Sequence, residues 1–352
     1  MKVTLLGAGA WGTAMAAQAA RQLPPEEVCL WSRDPKQLQA IAESGENQEY
    51  LPGIALPKGL QLESDFSAAV QRLGSEDLLV IATPMSALSE PIAKVFKVAQ
   101  HPLNIIWLCK GLEPSTALLP HQVVKREEQV HAHGIKHAYG ALSGPSFARE
   151  VGAGMPCALT VASSSEHLCK IVQSVFHREN MRVYSSDDLI GVELGGAVKN
   201  VLAIAAGIGD GLDLGLNARA AVLTRGLAEM MRLVKAAGGK SETCMGLTGV
   251  GDLILTATGD LSRNRQVGLQ LASGKKLDEI LGELGHVAEG VRCARAVSNL
   301  AKEKLSTGAV IGIYFCHIHF LRRTSGWQFL PCSSTTAPRP SDYRPRSVCP
   351  RE

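Results

Sequence analysis

The sequence predicts an α/β fold: an N-terminal Rossmann-like, doubly wound domain followed by an all-α C-terminal domain. Short apolar runs alternate with helix-compatible segments through the first half of the chain. A glycine-rich GAGAWG segment directly follows the first of these runs. After about residue 187 the strand-like runs stop, and helical segments separated by glycine-rich turns follow. The 352 residues are enough for about two domains.

Six short apolar runs are predicted as strands. Continuous apolar runs are typical of parallel strands whose sheet is covered on both faces. The predicted strands span residues 2–6, 28–31, 77–82, 104–109, 139–142 and 158–162. Helices are predicted between them, for example over 13–22 and 36–43. The second of these follows Asp34-Pro35, where aspartate is a good N-cap and proline suits the first helical position.

The second half is predicted to be helical, and the end of the chain differs from both halves. Helices are predicted over residues 189–208, 218–237, 265–272, 277–284 and 290–304. The SSDD segment near 185–190 marks the change, so we expect domains over 1–187 and 188–308. Residues 309–352 contain six arginines, no lysine and five prolines, without helical periodicity. We expect this segment to be a poorly ordered tail without a catalytic role.

Composition excludes several classes of protein. A net charge of +3 without long charged blocks requires no polyanionic partner. An aromatic content of 5% argues against stacking on single-stranded nucleic acid. No uninterrupted apolar run reaches the roughly 18 residues of a membrane span, and the glycine-rich start does not resemble a signal peptide. The nine cysteines include no CxxC pair, which indicates reduced thiols in a cytoplasmic protein.

No metal site is predicted. The pairs His131/His133 and His317/His319 are the only histidines spaced as H-x-H. A zinc site would need further ligands at a suitable spacing, and the sequence offers none.

Gly7, Gly9 and Gly12 form a G-x-G-x-x-G motif between the first predicted strand and an alanine-rich helix. This is the context in which the motif binds a dinucleotide. Gly7 permits the tight turn, Gly9 lets the backbone approach a pyrophosphate, and Gly12 lets helix and strand pack closely. The N–H groups at the helix start then face the phosphates. The motif predicts an NAD or NADP site, with an ordinary glycine turn as the alternative.

The end of the second predicted strand indicates which dinucleotide fits. An acidic residue there would bind the ribose 2′-hydroxyl, but the sequence reads Trp31-Ser32-Arg33-Asp34. Arg33 is suited to the 2′-phosphate of NADP, whereas Asp34 is assigned to capping the next helix. We therefore expect NADP to bind, without excluding NAD. A solvated surface arginine is the alternative.

Two segments follow further predicted strands, at the sheet edge where open α/β folds bind ligands. Lys110, after the fourth strand, is placed to meet an anionic or carbonyl oxygen. The LSGPSFA segment over 142–148 offers small residues and backbone amides to a phosphate or a nicotinamide ring. A surface lysine and a simple turn are the alternatives.

The predicted helix over 189–208 contains Gly195 and Gly196 in its interior, at a cost of about 1 kcal/mol each relative to alanine. Both share a face with Lys199. The lysine therefore projects from a stripe almost without side chains, which a ligand or a strand end can approach closely. A desolvated lysine has a lowered pKa and exchanges protons near neutral pH. Close helix packing beside an exposed lysine is the alternative.

A last cluster lies in the second half. Asp252 follows a glycine turn at a predicted helix start, where N-capping is the alternative to a functional role. Ser262, Arg263 and Asn264 offer donors suited to a phosphate. Another turn, over residues 286–290, precedes the last predicted helix.

Together these motifs resemble the NAD(P)-dependent glycerol-3-phosphate dehydrogenases of bacterial type. The resemblance covers residues 1 to about 305 and rests on GAGAWGTA, WSRD, NQEYLPG, CKGLE, SGPSFA, GVELGGAVKNVLAIAAGIGDGL, GLTGVGDL, SRNR and VAEG. It implies a Rossmann domain, a helical domain and reversible NAD(P)H-dependent reduction of dihydroxyacetone phosphate to sn-glycerol 3-phosphate for glycerophospholipid synthesis. It also implies a homodimer.

The resemblance assigns roles to individual residues. The catalytic group matches Lys199, Lys110 and Asp252. Cofactor contacts match Gly7, Gly9, Ala10, Trp11, Gly12, Arg33, Tyr50, Lys110, Ala148, Arg263, Val287 and Glu289. Substrate contacts match Lys110, Gly144, Ser146, Lys199, Asp252, Ser262, Arg263 and Asn264. Ala10 stands where the family often has serine, a change that a backbone contact would survive.

The mechanism that follows places Lys199 as the proton donor to the carbonyl oxygen while a hydride reaches C2. Lys110 adds positive potential, Asp252 orients Lys199, and Arg263 with Asn264 holds the phosphate. Two other functions stay open at this point. A 3-hydroxyacid or 6-phosphogluconate dehydrogenase would turn over a hydroxyacid, and a non-catalytic dinucleotide sensor would bind NADPH without turnover.

Overall fold

The first half of the chain contains one eight-stranded sheet. The structure is a computed structural model that describes residues 1–284 and 288–305. The strands are β1 (Val3–Leu6), β2 (Val28–Trp31), β3 (Gln61–Glu63), β4 (Leu78–Ile81), β5 (Asn104–Trp107), β6 (Ala138–Ser143), β7 (Cys157–Ser163) and β8 (Met181–Ser186). Their order across the sheet is β3-β2-β1-β4-β5-β6-β7-β8.

The sheet has the strand order of a dinucleotide-binding fold. Its first six strands follow the order 3-2-1-4-5-6, and the chain reverses direction across the sheet between β1 and β4. In β1, Leu5 pairs in register with Leu30 on one side and Val80 on the other. Ligands of open α/β sheets bind beyond the carboxyl ends of the strands at this switch point. The glycine motif that follows β1 therefore lies at the expected crevice.

The sequence prediction needs three corrections in the sheet. It missed β3, which has only three residues, none of them buried, and β8, whose buried and exposed residues alternate instead of forming an apolar run. It also predicted only parallel pairing, whereas β7 runs antiparallel to β6. The connection between them, over residues 144–156, contains one five-residue helix.

Helices cover both faces of the sheet. They are α1 (Ala10–Ala20), α2 (Pro35–Ser44), α3 (Phe66–Gln71), α4 (Ser89–Val98), α5 (Pro120–His131), α6 (Ala148–Gly152) and α7 (Glu166–Phe176). Successive side chains of a strand point to opposite faces. Leu5 accordingly belongs to one core cluster with Met15 of α1 and Phe176 of α7, while Leu6 belongs to another with Ile92 and Phe96 of α4.

A helical domain follows the sheet. Its helices are α8 (Leu189–Gly211), α9 (Gly215–Ala236), α10 (Asp252–Thr258), α11 (Arg263–Ala272), α12 (Leu277–Glu283) and α13 (Glu289–Lys304). The predicted helices match α8, α9, α11, α12 and α13 to within a few residues, and α10 was predicted only as a helix start. Helix α8 forms the centre of this domain, because its residues from Gly191 to Ile208 are all buried.

Among the described residues, only α8 is long and apolar enough to cross a membrane by length and composition. Charged residues such as Glu193 and Lys199 interrupt its apolar sequence, so the search for uninterrupted apolar runs did not select it. Some 89% of its apolar window is buried inside the protein, as in the core helix of a globular domain.

Three sequence predictions lie outside the described residues. They concern the cofactor contact Val287, the pair His317/His319 and the tail over 309–352.

Candidate active site

The glycine motif forms a cradle with one open side. Gly7 has a φ of +124°, which glycine adopts readily, and its N–H donates to the carbonyl of Trp31. A Cβ on Gly12 would lie 2.0 Å from the carbonyl oxygen of Gly7, so only glycine fits there. A Cβ on Gly9 would meet nothing within 4 Å. The cradle thus leaves space at Gly9, beside the start of α1, and this space fits a pyrophosphate.

Two side chains that the sequence analysis did not single out brace this cradle. Asn47 Nδ2 donates to the carbonyl of Ala8 and to Thr13 Oγ1, both at 2.8 Å. Gln37 Nε2 donates to the same carbonyl at 2.8 Å. Asn47 belongs to the NQEYLPG motif, and this motif was the sequence feature that could have identified Asn47 as a site residue. Tyr50 lies in the same turn, where its N–H donates to Asn47 Oδ1.

The residues predicted to recognise the adenosine ribose lie at the end of β2 and the start of α1. Asp34 Oδ1 accepts a hydrogen bond from the N–H of Lys36 at 2.9 Å, which confirms Asp34 as the cap of α2. Arg33 is exposed directly after the strand. Ala10 and Trp11 begin α1 and are only half-buried. These side chains line the same edge of the sheet as the cradle.

A buried cluster joins the two halves of the chain. Lys199 Nζ donates to Asp252 Oδ1 at 2.7 Å, and Lys110 Nζ donates to Asp252 Oδ2 at 2.7 Å. Lys110 also donates to the carbonyl of Gly144 at 3.0 Å. Lys199 donates to Thr256 Oγ1 at 2.8 Å. Thr256 was not proposed as a site residue, although its position four residues after Asp252 places both on one face of α10.

The protonation of this cluster follows from its burial. Burial lowers the pKa of Lys199 to about 8, with Asp252 opposing this shift and Lys110 adding to it. Burial alone would raise the pKa of Asp252, yet the ammonium groups of Lys110 and Lys199 hold that pKa below its ordinary value. Asp252 is therefore a carboxylate near neutral pH, and Lys199 exchanges protons in the same range.

The N-cap interpretation of Asp252 is wrong. Asp252 is the first residue of α10, its side chain makes no capping bond, and Gly251 occupies the cap position. Both carboxylate oxygens point to the two lysines instead.

The paired glycines of α8, Gly195 and Gly196, allow other segments of the protein to approach the helix closely. A Cβ on Gly195 would lie 2.6 Å from the carbonyl oxygen of Thr248, in the turn that leads to Asp252. A Cβ on Gly196 would lie 3.4 Å from Lys110 Cγ. The two glycines thus let the Asp252 turn and the Lys110 side chain reach α8.

The residues expected at the phosphate end have different environments. Ser262 is the N-cap of α11, since its Oγ accepts from the N–H of Arg265. Asn264 is buried and its amide bonds both Asn200 and the N–H of Gly290. Arg263, the first residue of α11, is exposed. Of the three predicted phosphate donors, Arg263 is thus the accessible one.

The remaining predicted contacts lie around the same cluster. Ser146 Oγ donates to the carbonyl of Gly144 at 3.1 Å, and Ala148 begins α6. Burial raises the pKa of Glu289, opposed by Arg263 and Lys110. Glu289 and Lys110 line one cleft between the two halves of the chain.

No group of three or more histidine, cysteine, aspartate or glutamate side chains in the described part of the chain could hold a metal ion. His131, one of the histidines spaced as H-x-H, has its Nε2 atom 3.6 Å from Glu127 Oε2.

Comparisons with known proteins give matches over both halves of the chain. A family model described as the N-terminus of NAD-dependent glycerol-3-phosphate dehydrogenase matches residues 2–169, and the C-terminus model of that family matches residues 188–314. The glycerol-3-phosphate dehydrogenase (NAD(P)+) of Polynucleobacter necessarius is 80% identical over 302 residues, which cover 86% of this chain and 89% of that protein. The enzyme of the same name from Cupriavidus pinatubonensis is 56% identical over 321 residues, or 90% of this chain and 92% of that protein.

Solved structures show the same architecture. The structure of glycerol-3-phosphate dehydrogenase from Coxiella burnetii matches with a TM-score of 0.82 at 38% identity, over 91% of this chain and 94% of that one. Glycerol-3-phosphate dehydrogenase from Saccharomyces cerevisiae matches with a TM-score of 0.75 at 27% identity, over 93% of this chain and 96% of that one. The chain therefore belongs to the NAD-dependent glycerol-3-phosphate dehydrogenase family.

Proposed function

We propose that this chain is an NAD(P)H-dependent glycerol-3-phosphate dehydrogenase that interconverts dihydroxyacetone phosphate and sn-glycerol 3-phosphate. The observation that carries the proposal is the buried Asp252, which binds Lys110 from the nucleotide half and Lys199 from the helical half. In this proposal Lys199 supplies the proton and Lys110 the positive charge, at the sheet edge that also carries the glycine cradle. Ketone reduction needs both at the carbonyl oxygen.

The reduced nicotinamide supplies a hydride when bound, and Gly7, Gly9 and Gly12 are the residues proposed to hold the dinucleotide. As negative charge grows on the carbonyl oxygen, the Lys199 ammonium donates its proton to that atom. Asp252 Oδ1 and Thr256 Oγ1 direct the Lys199 ammonium. In the reverse direction the neutral Lys199 amine accepts the proton from the substrate hydroxyl.

The other proposed roles divide between substrate and cofactor. Lys110, held by Asp252 and Gly144, adds positive potential beside the reacting oxygen. Arg263 is proposed to bind the substrate phosphate as a charged fork. Further substrate contacts are proposed for Gly144, Ser146, Ser262 and Asn264, and further cofactor contacts for Ala10, Trp11, Tyr50, Ala148, Val287 and Glu289. The Asn264 amide already donates to Asn200 Oδ1 and accepts from the N–H of Gly290. The proposal requires this amide to bind the substrate as well.

Finer properties of the enzyme are proposed on sequence grounds. The exposed Arg33 supports a preference for NADPH over NADH, because an arginine fork suits a 2′-phosphate. The proposed domains are 1–187 for the dinucleotide and 188–308 for the substrate, with 309–352 as a tail. We also propose a cytoplasmic homodimer without nucleic acid partners or stable membrane insertion, acting on a small-molecule substrate.

Oxidation of NADPH by the purified full chain, followed at 340 nm with dihydroxyacetone phosphate, tests the proposal. Turnover with this ketone, and none with 3-hydroxyacids or 6-phosphogluconate in the oxidative direction, is the expected result. NADPH binding without turnover of any of these compounds would favour the dinucleotide sensor instead.

A further inference from the structure

Glu193 is a buried carboxylate of α8 that the proposed mechanism does not use. Its side chain is only 1% exposed. Its Oε1 accepts from the backbone N–H of His121 at 2.9 Å, and its Oε2 lies 2.5 Å from His121 Nδ1. His121 is the second residue of α5, directly after Pro120. Glu193 thus extends from the helical half of the chain to the N-terminus of a helix in the nucleotide half.

The contact has the features of a specific attachment rather than incidental packing. The first N–H groups of a helix have no partner within the helix, and a carboxylate is favoured there. Burial raises the pKa of Glu193, while His121, through its imidazole and its backbone N–H, and the Trp107 side chain oppose this shift. A carboxylate so deeply buried costs stability unless such partners are present. The contact between Glu193 and His121, which are 72 positions apart in the sequence, therefore offsets part of the cost of burying the carboxylate.

The position of Glu193 on α8 relates it to the reacting groups. Residues three apart lie on one face of a helix, so Glu193 and Gly196 face the nucleotide half together. Gly196 packs against the Lys110 side chain, where a Cβ would lie 3.4 Å from Lys110 Cγ. Two contacts about one helical turn apart thereby fix both the rotation and the height of α8 against the nucleotide half. Lys199 lies one turn further along the same helix.

We propose that Glu193 is a positioning residue. By attaching α8 to the start of α5, it sets the spacing at which Lys199 and Lys110 meet on the shared Asp252. This inference rests on the function proposed above, since it concerns the geometry of that reaction. Glu193 itself touches neither substrate nor cofactor in this assignment.

Three variants test the inference in the full-length enzyme. Glu193→Ala removes both contacts and lets α8 shift, and misplacement by about 1 Å costs roughly 100-fold in rate. We expect kcat to fall about 10- to 100-fold, with little change in the KM for NADPH because the glycine cradle is untouched. Glu193→Gln retains an oxygen for the N–H of His121 and an amide for neutral Nδ1, so it should restore kcat to within about fivefold. His121→Ala keeps the backbone bond and should be intermediate.

Glu229→Ala is the matched control. Glu229 is equally buried, at 1% exposure, but lies on α9, and Arg225 of the same helix, at 3.4 Å, is among its partners. Its loss should lower the melting temperature and leave the kcat of the folded enzyme unchanged. If Glu193→Ala behaves like this control, or if Glu193→Gln is as damaging as Glu193→Ala, the positioning role is refuted.

The test also covers a variant that does not fold and a wild type that is inactive. If Glu193→Ala does not fold, His121→Ala and Glu193→Gln carry the comparison, and an unchanged kcat in His121→Ala overturns the inference. If the wild type itself shows no turnover of dihydroxyacetone phosphate, the proposed function fails and this inference fails with it. An active wild type with unaffected variants refutes the positioning role alone.

Discussion

Replacing Asp252 by asparagine tests whether one carboxylate controls both lysines of the site. The substitution keeps the shape of the side chain and removes its charge. In the wild type each oxygen accepts one bond of 2.7 Å from an ammonium group. A hydrogen bond to a charged group contributes about 1.5–3 kcal/mol. If that stabilisation of Lys199 operates in the transition state, its loss lowers kcat by about 10- to 150-fold.

The same variant has a predicted pH signature. Lys199 donates its proton only as an ammonium, so turnover of the ketone should decline above its pKa of about 8. Asp252 favours the ammonium form and Lys110 disfavours it. Loss of the carboxylate leaves Glu289 as the remaining group that opposes the repulsion from Lys110, so the pKa of Lys199 should fall further. The decline should therefore begin at lower pH in Asp252→Asn than in the wild type.

The assay is a kcat profile for dihydroxyacetone phosphate between about pH 6 and 9, with NADPH saturating. Asp187→Asn is the control, because Asp187 pairs with Lys240 on the surface and its side chain is 78% exposed. Exposed pairs contribute little, so that variant should match the wild type. A kcat for Asp252→Asn within about twofold of wild type, with an unmoved profile, would refute the assigned role of Asp252.

Four further substitutions separate chemistry, substrate binding and cofactor binding. Lys199→Met should lower kcat at least about 100-fold while NADPH still binds; near-normal turnover would remove this lysine from the mechanism. Arg33→Ala should raise the KM for NADPH about 10- to 150-fold and leave NADH nearly unaffected; equal effects on both cofactors would exclude 2′-phosphate recognition. Arg263→Ala should raise the KM for dihydroxyacetone phosphate more than that for NADPH, and the opposite ratio would place this arginine on the cofactor. Gly9→Ala, with a φ of −74° and no atom within 4 Å of the new Cβ, should preserve the melting temperature yet weaken both cofactors, unlike the equally open Gly282→Ala.

The sequence alone was sufficient for features that a few neighbouring residues encode. The apolar runs of β1, β2, β4 and β5 gave the buried strands, since a strand covered on both faces must be apolar throughout. The glycine motif and the Asp34 cap were predictable from the sequence for the same reason. The tight turn and the helix start are each formed by residues that lie within a few positions of one another.

Only the tertiary structure decided how the parts of the site meet. The sequence allowed Asp252 to be a helix cap, and its actual partners lie 53 and 142 positions away. Asn47 and Thr256 gained their roles in the same way, by contact with groups distant along the chain. The antiparallel direction of β7 against β6 is likewise a feature that the pattern of apolar residues does not report.

The paired glycines and Glu193 show most directly why contacts between the two halves could not be predicted from the sequence. Gly195 and Gly196 signalled a close approach to α8, but which atoms approach is set by packing between two separately encoded halves. Glu193 pairs with His121 across 72 positions, and no local periodicity specifies that distance. Local propensity and apolar pattern therefore determined most of the elements and the glycine turn, while burial between the two halves determined which charges face one another.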